Sequence, residues 1–350
     1  MISLLVAGSV AFAVAILGTP WLIGYLRERS VGVFIHWDVE GHEHKKGTPT
    51  MGGLMVIAAA VVGYLVSQVR LWTPQDGFGF SLREWQNSGI LVLGAFAGMG
   101  MIGFLDDLIK HRNARNEGLN KRWKFIGQVV VAGLFAVAAM ASGVSTELSF
   151  TRGVGIDLGP LYPLLVLLML VAAANAVNIT DGLDGLAAGS ASLVYGSFVI
   201  MAFWQLRQAD RGFYDVEEPL GLAVVAAALL GATLGFLWWN APPAQIIMGD
   251  TGSQALGGAM AALALLTNTQ LLLIVLGGLY VMETGSVILQ VLSFRMLGRR
   301  VFLTAPVHHH FERRGWPETT VTIRFWILAG IAVALGLGIF YGDFITSVEL

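Results

Sequence analysis

Five polar segments hold the acids, lysines, asparagines and histidines that could do chemistry in this chain. GFLDDLIKHRNARNEGLNKRWK (103–124) sets Asp106 beside Asp107 and follows them with Lys110, Lys121 and Lys124. NAVNITDGLDGLAAG (175–189) spaces Asn175 and Asn178, then Asp181 and Asp184, three residues apart. NAPPAQIIMGDTGSQALGG (240–258) places Asp250 among glycines, and TAPVHHHFERRGW (304–316) carries three consecutive histidines. HEHKKGTPTMGG (42–53) completes the set with Lys45, Lys46 and Thr50. Several carboxylates in a chain with no cysteine favour a hard cation that prefers oxygen, and Mg²⁺ is the usual one beside phosphates. Lys, Arg and His around it suit a polyanion such as a diphosphate. Metal and basic clamps without a redox cofactor amount to the equipment for phosphoryl transfer.

Each segment also has a structural reading. A helix C-terminus carries partial negative charge, so two acids where the third apolar run ends oppose both the dipole and each other; a compensating cation is expected there. If a helix begins near Asp181, Asp181 and Asp184 share a face. Thr180 or Asp181 as a plain N-cap accounts for one acid, not for two acids and two asparagines. Asp250 between Gly249 and Gly252 suits a bulky ligand or metal, or an N-cap. Thr48-Pro49-Thr50 before Met51-Gly52-Gly53 predicts a rigid turn and a helix start whose free N–H groups suit an anion. His308, His309 and His310 point about 100° apart if helical, so they cannot all chelate one ion. Glu283, alone inside an apolar run, reads either as functional or as a helix-packing hydrogen bond.

The elements that carry these groups are membrane-like. Of 350 residues, 55% are hydrophobic and 13% charged, and the mean hydropathy is +0.70. Soluble domains carry about a quarter charged residues. A net charge of −2 offers nothing for nucleic acid. Apolar runs lie near 1–26, 51–69, 89–105, 125–146, 158–178, 185–206, 220–239, 251–267, 271–294 and 325–342. About 20 apolar residues cross the hydrocarbon as a helix. The expectation is therefore an all-α polytopic membrane protein of about ten transmembrane helices in one domain, 1–350. Only Thr267–Gln270 separates the eighth run from the ninth, so nine spans is the alternative count. The stretch 1–26 lacks a basic start and a small-residue cleavage site, and reads as a retained first span.

With ten spans, the loops 27–50, 106–124, 179–184, 240–250 and 295–324 share a face and hold 16 of the 21 Lys and Arg. Cytoplasmic loops are enriched in Lys and Arg, which puts both termini outside and an active site of loops and helix ends inside. All seven histidines fall on that inner face, a sorting that the charge rule does not explain. The outer stretch 145–158 alternates weakly and predicts a short hairpin.

The inner motifs, read as KxGTPTMGG, GFxDDxxK, NxTDGLDGLA, NAxPAxxxMGDTGS and PxHHHFE, resemble the phospho-N-acetylmuramoyl-pentapeptide-transferases. That family lies within the polyprenyl-phosphate N-acetylhexosamine-1-phosphate transferases. The resemblance runs in order from Lys45 to Trp316, and PVHHHFE favours the muramoyl-pentapeptide branch. It implies transfer of phospho-N-acetylmuramoyl-pentapeptide from its UDP carrier to undecaprenyl phosphate at the bacterial cell membrane. The products are lipid I and UMP, Mg²⁺ is required, and members are homodimers. Carried over by motif, Asp250 is a metal ligand. Asp106 and Asp107 are the catalytic pair, one activating the lipid phosphate or attacking the diphosphate. His308 assists at the diphosphate, with His309 and His310 beside it on substrate. Lys110 and Lys124 hold phosphates, while Lys45, Thr50, Asn178, Asp181, Asp184, Asn240 and Gln290 line the nucleotide-sugar pocket.

Two positions depart from the family pattern. Ile247 stands where an aromatic usually precedes MGD, so uracil rests on an aliphatic surface or on another ring, and Leu108 replaces a common Tyr. Transfer of N-acetylglucosamine-1-phosphate to the same lipid is the near alternative. A secondary transporter is the distant one, set apart because transporter sites sit near the bilayer midplane.

Overall fold

The computed structural model describes residues 1–29, 31–32, 47–73, 77–113 and 118–348. Lys45, His36, His42 and His44 lie outside the described residues. The helices are α1 (Ile2–Glu28), α2 (Gly53–Ser67), α3 (Asn87–Arg112), α4 (Lys121–Ala141), α5 (Tyr162–Thr180) and α6 (Leu186–Gln208). They continue as α7 (Pro219–Asn240), α8 (Gly249–Leu266), α9 (Leu272–Leu276), α10 (Gly278–Leu297), α11 (Val307–Arg313) and α12 (Glu318–Val348). Each of the ten apolar runs is helical. Seven of these helices, α1, α3 to α7 and α12, are long and apolar enough among the described residues to cross a membrane. The protein is a mostly helical, polytopic membrane protein. At 1.5 Å per residue, the 15 residues of α2 reach only about 22 Å. α8 opens with Asp250, Ser253 and Gln254, and α10 carries Glu283, Gln290 and Arg295, which lowers their apolarity.

Two expectations about helix ends change. The chain does break after α8: Thr267 Oγ1 donates back to Leu263 O at 2.7 Å, and Thr269 Oγ1 lies 2.8 Å from the same hydroxyl. The ninth run, however, is not one helix, because α9 and α10 are separated at Gly277. α3 also continues past the acid pair to Arg112, so its last turn carries Lys110, His111 and Arg112, the basic residues that a helix C-terminus favours.

α8 is the central strut. Every residue from Thr251 to Leu266 is buried, against α3, α5 and α2. A helix apolar on all sides belongs inside a bundle. Gly103 makes the closest of these crossings possible, since a Cβ there would overlap the Asp250 carbonyl. The outer helices instead expose apolar stripes at helical spacing, Val130, Leu134 and Val137 on α4 and Ile327, Ile331 and Leu335 on α12. Such stripes suit hydrocarbon, where no water has to be excluded.

Short antiparallel hairpins join successive helices at two places. β1 (Val69–Thr73) and β2 (Gly77–Leu82) link α2 to α3, and β3 (Glu147–Ser149) pairs with β4 (Gly153–Asp157) between α4 and α5. The second is the hairpin that 145–158 predicts; the first was not anticipated. The loop of that second hairpin is tied to the end of α12 by Arg152, whose Nε and Nη2 each meet the Asp343 carboxylate at 2.8 Å.

Candidate active site

Asp106 and Asp107 are adjacent in sequence but point to different partners, as the 100° step of a helix requires. Both are buried, at 3% and 5% exposure. Asp107 faces the start of α8. Its Oδ2 accepts from Thr251 N at 2.9 Å and Thr251 Oγ1 at 2.7 Å, and its Oδ1 accepts from Asp250 N at 3.2 Å. A carboxylate there satisfies N–H groups with no intrahelical partner and meets the positive end of the dipole. Asp106 turns instead to Leu119 and Lys110. Its Oδ1 accepts from Leu119 N at 2.9 Å, while Oδ2 is buried. That oxygen is ion-paired with Lys110 Nζ at 2.6 Å.

Asp250 sits in the first turn of α8 and does not cap it; that work falls to Asp107. Asp250 Oδ1 accepts from Asn178 Nδ2 at 2.9 Å, and its Oδ2 from Lys124 Nζ at 2.6 Å. Lys110 Nζ lies 3.2 Å from the same oxygen, and Lys124 Nζ lies 3.8 Å from Asp106 Oδ1. The C-termini of α3 and α5 and the N-termini of α4 and α8 thus meet at one end of the bundle. One carboxylate oxygen from each of Asp106, Asp107 and Asp250 falls within 4.8 Å of the others. Two lysines stand against three acids, of which Asp106 and Asp107 are buried and Asp250 is partly exposed. Three hard oxygen donors this close together fit a divalent cation of the Mg²⁺ type. The compensating cation expected beside the acid pair is present as Lys110 and Lys124.

A second tier supports this cluster. Asn178 also donates to Ser253 Oγ at 2.9 Å, Asn175 donates to Gln128 Oε1 at 3.3 Å, and Gln128 donates to Gln254 Oε1 at 3.1 Å. Nothing in the sequence pattern singled out Thr251, Ser253, Gln128 or Gln254, because each acquires its role from a partner on another helix.

The other candidate residues are distributed around this centre. Asp181 and Asp184 do not share a helix face: α5 ends at Thr180, Asp181 is its C-cap, and α6 starts only at Leu186. Asp184 Oδ2 accepts from Ala244 N at 2.9 Å, and Asn240 Nδ2 donates to Ile246 O at 2.9 Å, so both hold the segment leading into α8. Glu318 Oε1, which drew no notice in the sequence, accepts from Asp184 N at 2.8 Å.

The expected anion site at the start of α2 is not open. Gly52 N and Gly53 N donate to Ile247 O and Met248 O, both at 2.9 Å, and Ile247 N donates to Pro49 O at 2.8 Å. The Thr48–Gly53 segment is therefore bonded to the Ile247–Met248 backbone, and Thr50 lies beside Gly249.

The three histidines have three partners. His308 Nδ1 lies 3.0 Å from Glu283 Oε2, both residues fully buried; His309 Nδ1 lies 2.6 Å from Glu312 Oε2; His310 Nδ1 accepts from Leu303 N at 3.0 Å. Gln290 holds the same 301–303 segment, accepting from Val301 N and Phe302 N at 3.0 and 2.9 Å.

Comparison with known proteins places this geometry in a family. A family model described as glycosyl transferase family 4 matches residues 89–268, a stretch that contains all three clustered aspartates, both lysines and Asn178. A phospho-N-acetylmuramoyl-pentapeptide-transferase of Frankia casuarinae is 49% identical, with 99% of each chain covered. Proteins of that name from Mycolicibacterium paratuberculosis and Corynebacterium efficiens are 48% and 45% identical, over 99% and 100% of each chain. Similarity at that level, end to end, covers every helix that contributes to the acidic cluster, and the chain belongs to the phospho-N-acetylmuramoyl-pentapeptide-transferase family.

Proposed function

We propose that the protein transfers phospho-N-acetylmuramoyl-pentapeptide from UDP-N-acetylmuramoyl-pentapeptide to undecaprenyl phosphate, releasing UMP and forming lipid I. This is the first membrane step of peptidoglycan synthesis. The observation that carries the reading is the buried meeting of Asp106, Asp107 and Asp250 with Lys110, Lys124 and Asn178 in a member of this family. In this reading the chain is one membrane domain with ten spans, α9 and α10 forming the ninth, in the bacterial inner membrane. The cluster faces the cytoplasm, both termini lie outside, and the protein works as a homodimer.

The bond changes are those of a displacement at phosphorus. An oxygen of the lipid phosphate forms a bond to the sugar-bearing phosphorus of the donor, and the bond from that phosphorus to the bridging oxygen breaks, leaving UMP. The chain's residues divide the work. Asp107 is committed to α8, so Asp106, whose Oδ2 is paired with Lys110, is the group that accepts a proton from the lipid phosphate or orients its attacking oxygen once Lys110 turns to phosphate. Lys110 and Lys124 exchange their carboxylate contacts for phosphate oxygens and hold the substrates in line. Asp250, with Asp106 in reach, holds Mg²⁺, which when bound neutralises charge on the diphosphate. Asn178 fixes the Asp250 carboxylate from the side. Asp181, Asp184, Asn240, Thr50 and Lys45 border the nucleotide-sugar, with Gln290, His309 and His310 shaping the opposite wall and His308 assisting at the diphosphate.

The test is turnover in detergent with undecaprenyl phosphate, Mg²⁺ and either UDP-N-acetylmuramoyl-pentapeptide or UDP-N-acetylglucosamine. Lipid product and UMP from the muramoyl donor are expected. Product from UDP-N-acetylglucosamine alone would transfer the assignment to the sister activity. No UMP release from either donor, at any Mg²⁺ concentration, would refute the enzymatic reading and return transport to consideration.

A further inference from the structure

Glu283 has no role in the chemistry assigned so far, yet it is a wholly buried acid in an apolar run. It lies on the buried stripe of α10, with Leu279, Tyr280 and Ser286, and Ser286 Oγ donates to its carbonyl at 2.6 Å. Leu279, one turn earlier on that stripe, belongs to a buried apolar cluster with Leu183, Leu186, Val307 and Phe325, and burying a carboxylate costs free energy unless it is paired. Glu283 Oε2 meets His308 Nδ1 at 3.0 Å, and neither residue is exposed. His308 Nε2 is also buried and has no hydrogen-bond partner among the described residues. That nitrogen is directed at Gly182, in the turn between Asp181 and Asp184, closely enough that a Cβ there would overlap it.

We infer that Glu283 is a positioning residue that orients the His308 ring and fixes its tautomer, presenting Nε2 to the donor diphosphate beside the Asp181–Asp184 turn. The assignment takes Glu283 Oε2 as the acceptor: Nδ1 then carries the proton, and Nε2 is the ring nitrogen left for substrate. The neighbouring histidine does not compete. His309 packs edge-on at 4.2 Å between ring centroids, and its own Nδ1 is engaged by Glu312. A carboxylate that holds an imidazole from behind is a recurrent way of orienting a working histidine, and its loss costs about 10–100-fold where it has been measured at metal sites.

The inference rests on the proposed transferase reading, and its test is a double-mutant cycle in steady-state kinetics on the full-length protein in detergent. Glu283→Leu is expected to lower kcat about 10–100-fold with the KM for the nucleotide donor little changed. Glu283→Gln, whose carbonyl still accepts the Nδ1 proton, is expected to retain clearly more activity than Glu283→Leu. The double variant Glu283→Leu/His308→Ala should be no slower than His308→Ala alone, because the carboxylate acts only through the ring. If Glu283→Leu fails to fold, the cycle is run with Glu283→Gln. Losses that multiply in the double variant, or a Gln variant no better than Leu, overturn the inference and leave the transferase reading standing. Wild-type turnover in His308→Ala overturns both the inference and the diphosphate role of His308. No product from wild-type protein overturns the transferase reading itself.

Discussion

The two adjacent aspartates should separate under the same substitution. Asp107→Asn removes the charge that caps α8. Asn can keep one oxygen where Thr251 N and Thr251 Oγ1 converge, at 2.9 and 2.7 Å, but its amide NH₂ then faces Asp250 N, 3.2 Å from the present Oδ1. One hydrogen bond becomes a contact between two donors, and the other two lose their charge assistance. A buried hydrogen bond to a charged group contributes about 1.5–3 kcal/mol. Relief of repulsion among three neighbouring acids offsets part of that, leaving a net loss of about 1–2 kcal/mol. Asp106→Asn retains the Leu119 N–H bond through its oxygen; its amide NH₂ faces Lys110, but that ammonium is 31% exposed and can turn to Asp250, so the loss is about 1 kcal/mol or less. Thermal unfolding in detergent, followed by tryptophan fluorescence, should therefore show Asp107→Asn melting below Asp106→Asn. Asp106→Asn should melt near wild type while losing turnover. Equal melting temperatures, or the reverse order, would refute the division of labour between the two acids.

Asp250→Asn should abolish turnover with little effect on folding, since Asn178 can still donate to the amide oxygen; near-normal kcat at ordinary Mg²⁺ would contradict the metal assignment. In wild-type protein freed of metal by EDTA, added Mg²⁺ should raise the melting temperature and restore activity, and the melting shift should be absent in Asp250→Asn. Gly182→Ala should lower kcat about 100-fold, because the new methyl displaces the His308 ring whose other side is held by Glu283; unchanged kinetics would show that the ring position does not matter. Arg152→Leu should lower the melting temperature and leave kcat and KM unchanged, since Arg152 ties the β3–β4 loop to α12 at the end of the bundle away from the acids; lost turnover would argue against that separation.

Much of the fold and part of the site are legible from residue order, for reasons that are local. Runs of apolar residues mark helices because a backbone in hydrocarbon must satisfy its own hydrogen bonds, and each of the ten runs is helical. Motif spacing picked out Asp106, Asp107, Asp250, Lys110, Lys124 and Asn178, which meet in one cluster. Local reasoning failed where an end was settled by a distant partner. The start of α2 looked like an open anion site, yet its N–H groups are taken by Ile247 and Met248, almost 200 residues later in the chain. Asp181 and Asp184 looked like neighbours on a helix, yet the turn at 181–185 sends Asp184 to the segment before α8.

By itself the sequence determined that this is a polytopic helical membrane protein, and it brought out the acids and lysines that suit phosphate chemistry. Those properties depend on composition, apolar run length and motif spacing, which any single chain displays. Tertiary structure alone decided what each acid does. Asp107 became the cap of α8, Asp106 paired with Lys110, and Glu283 found His308, because α3 crosses α8 at Gly103 and α10 packs against α11. A carboxylate's role follows from the donors that reach it, and in this protein those donors come from other helices.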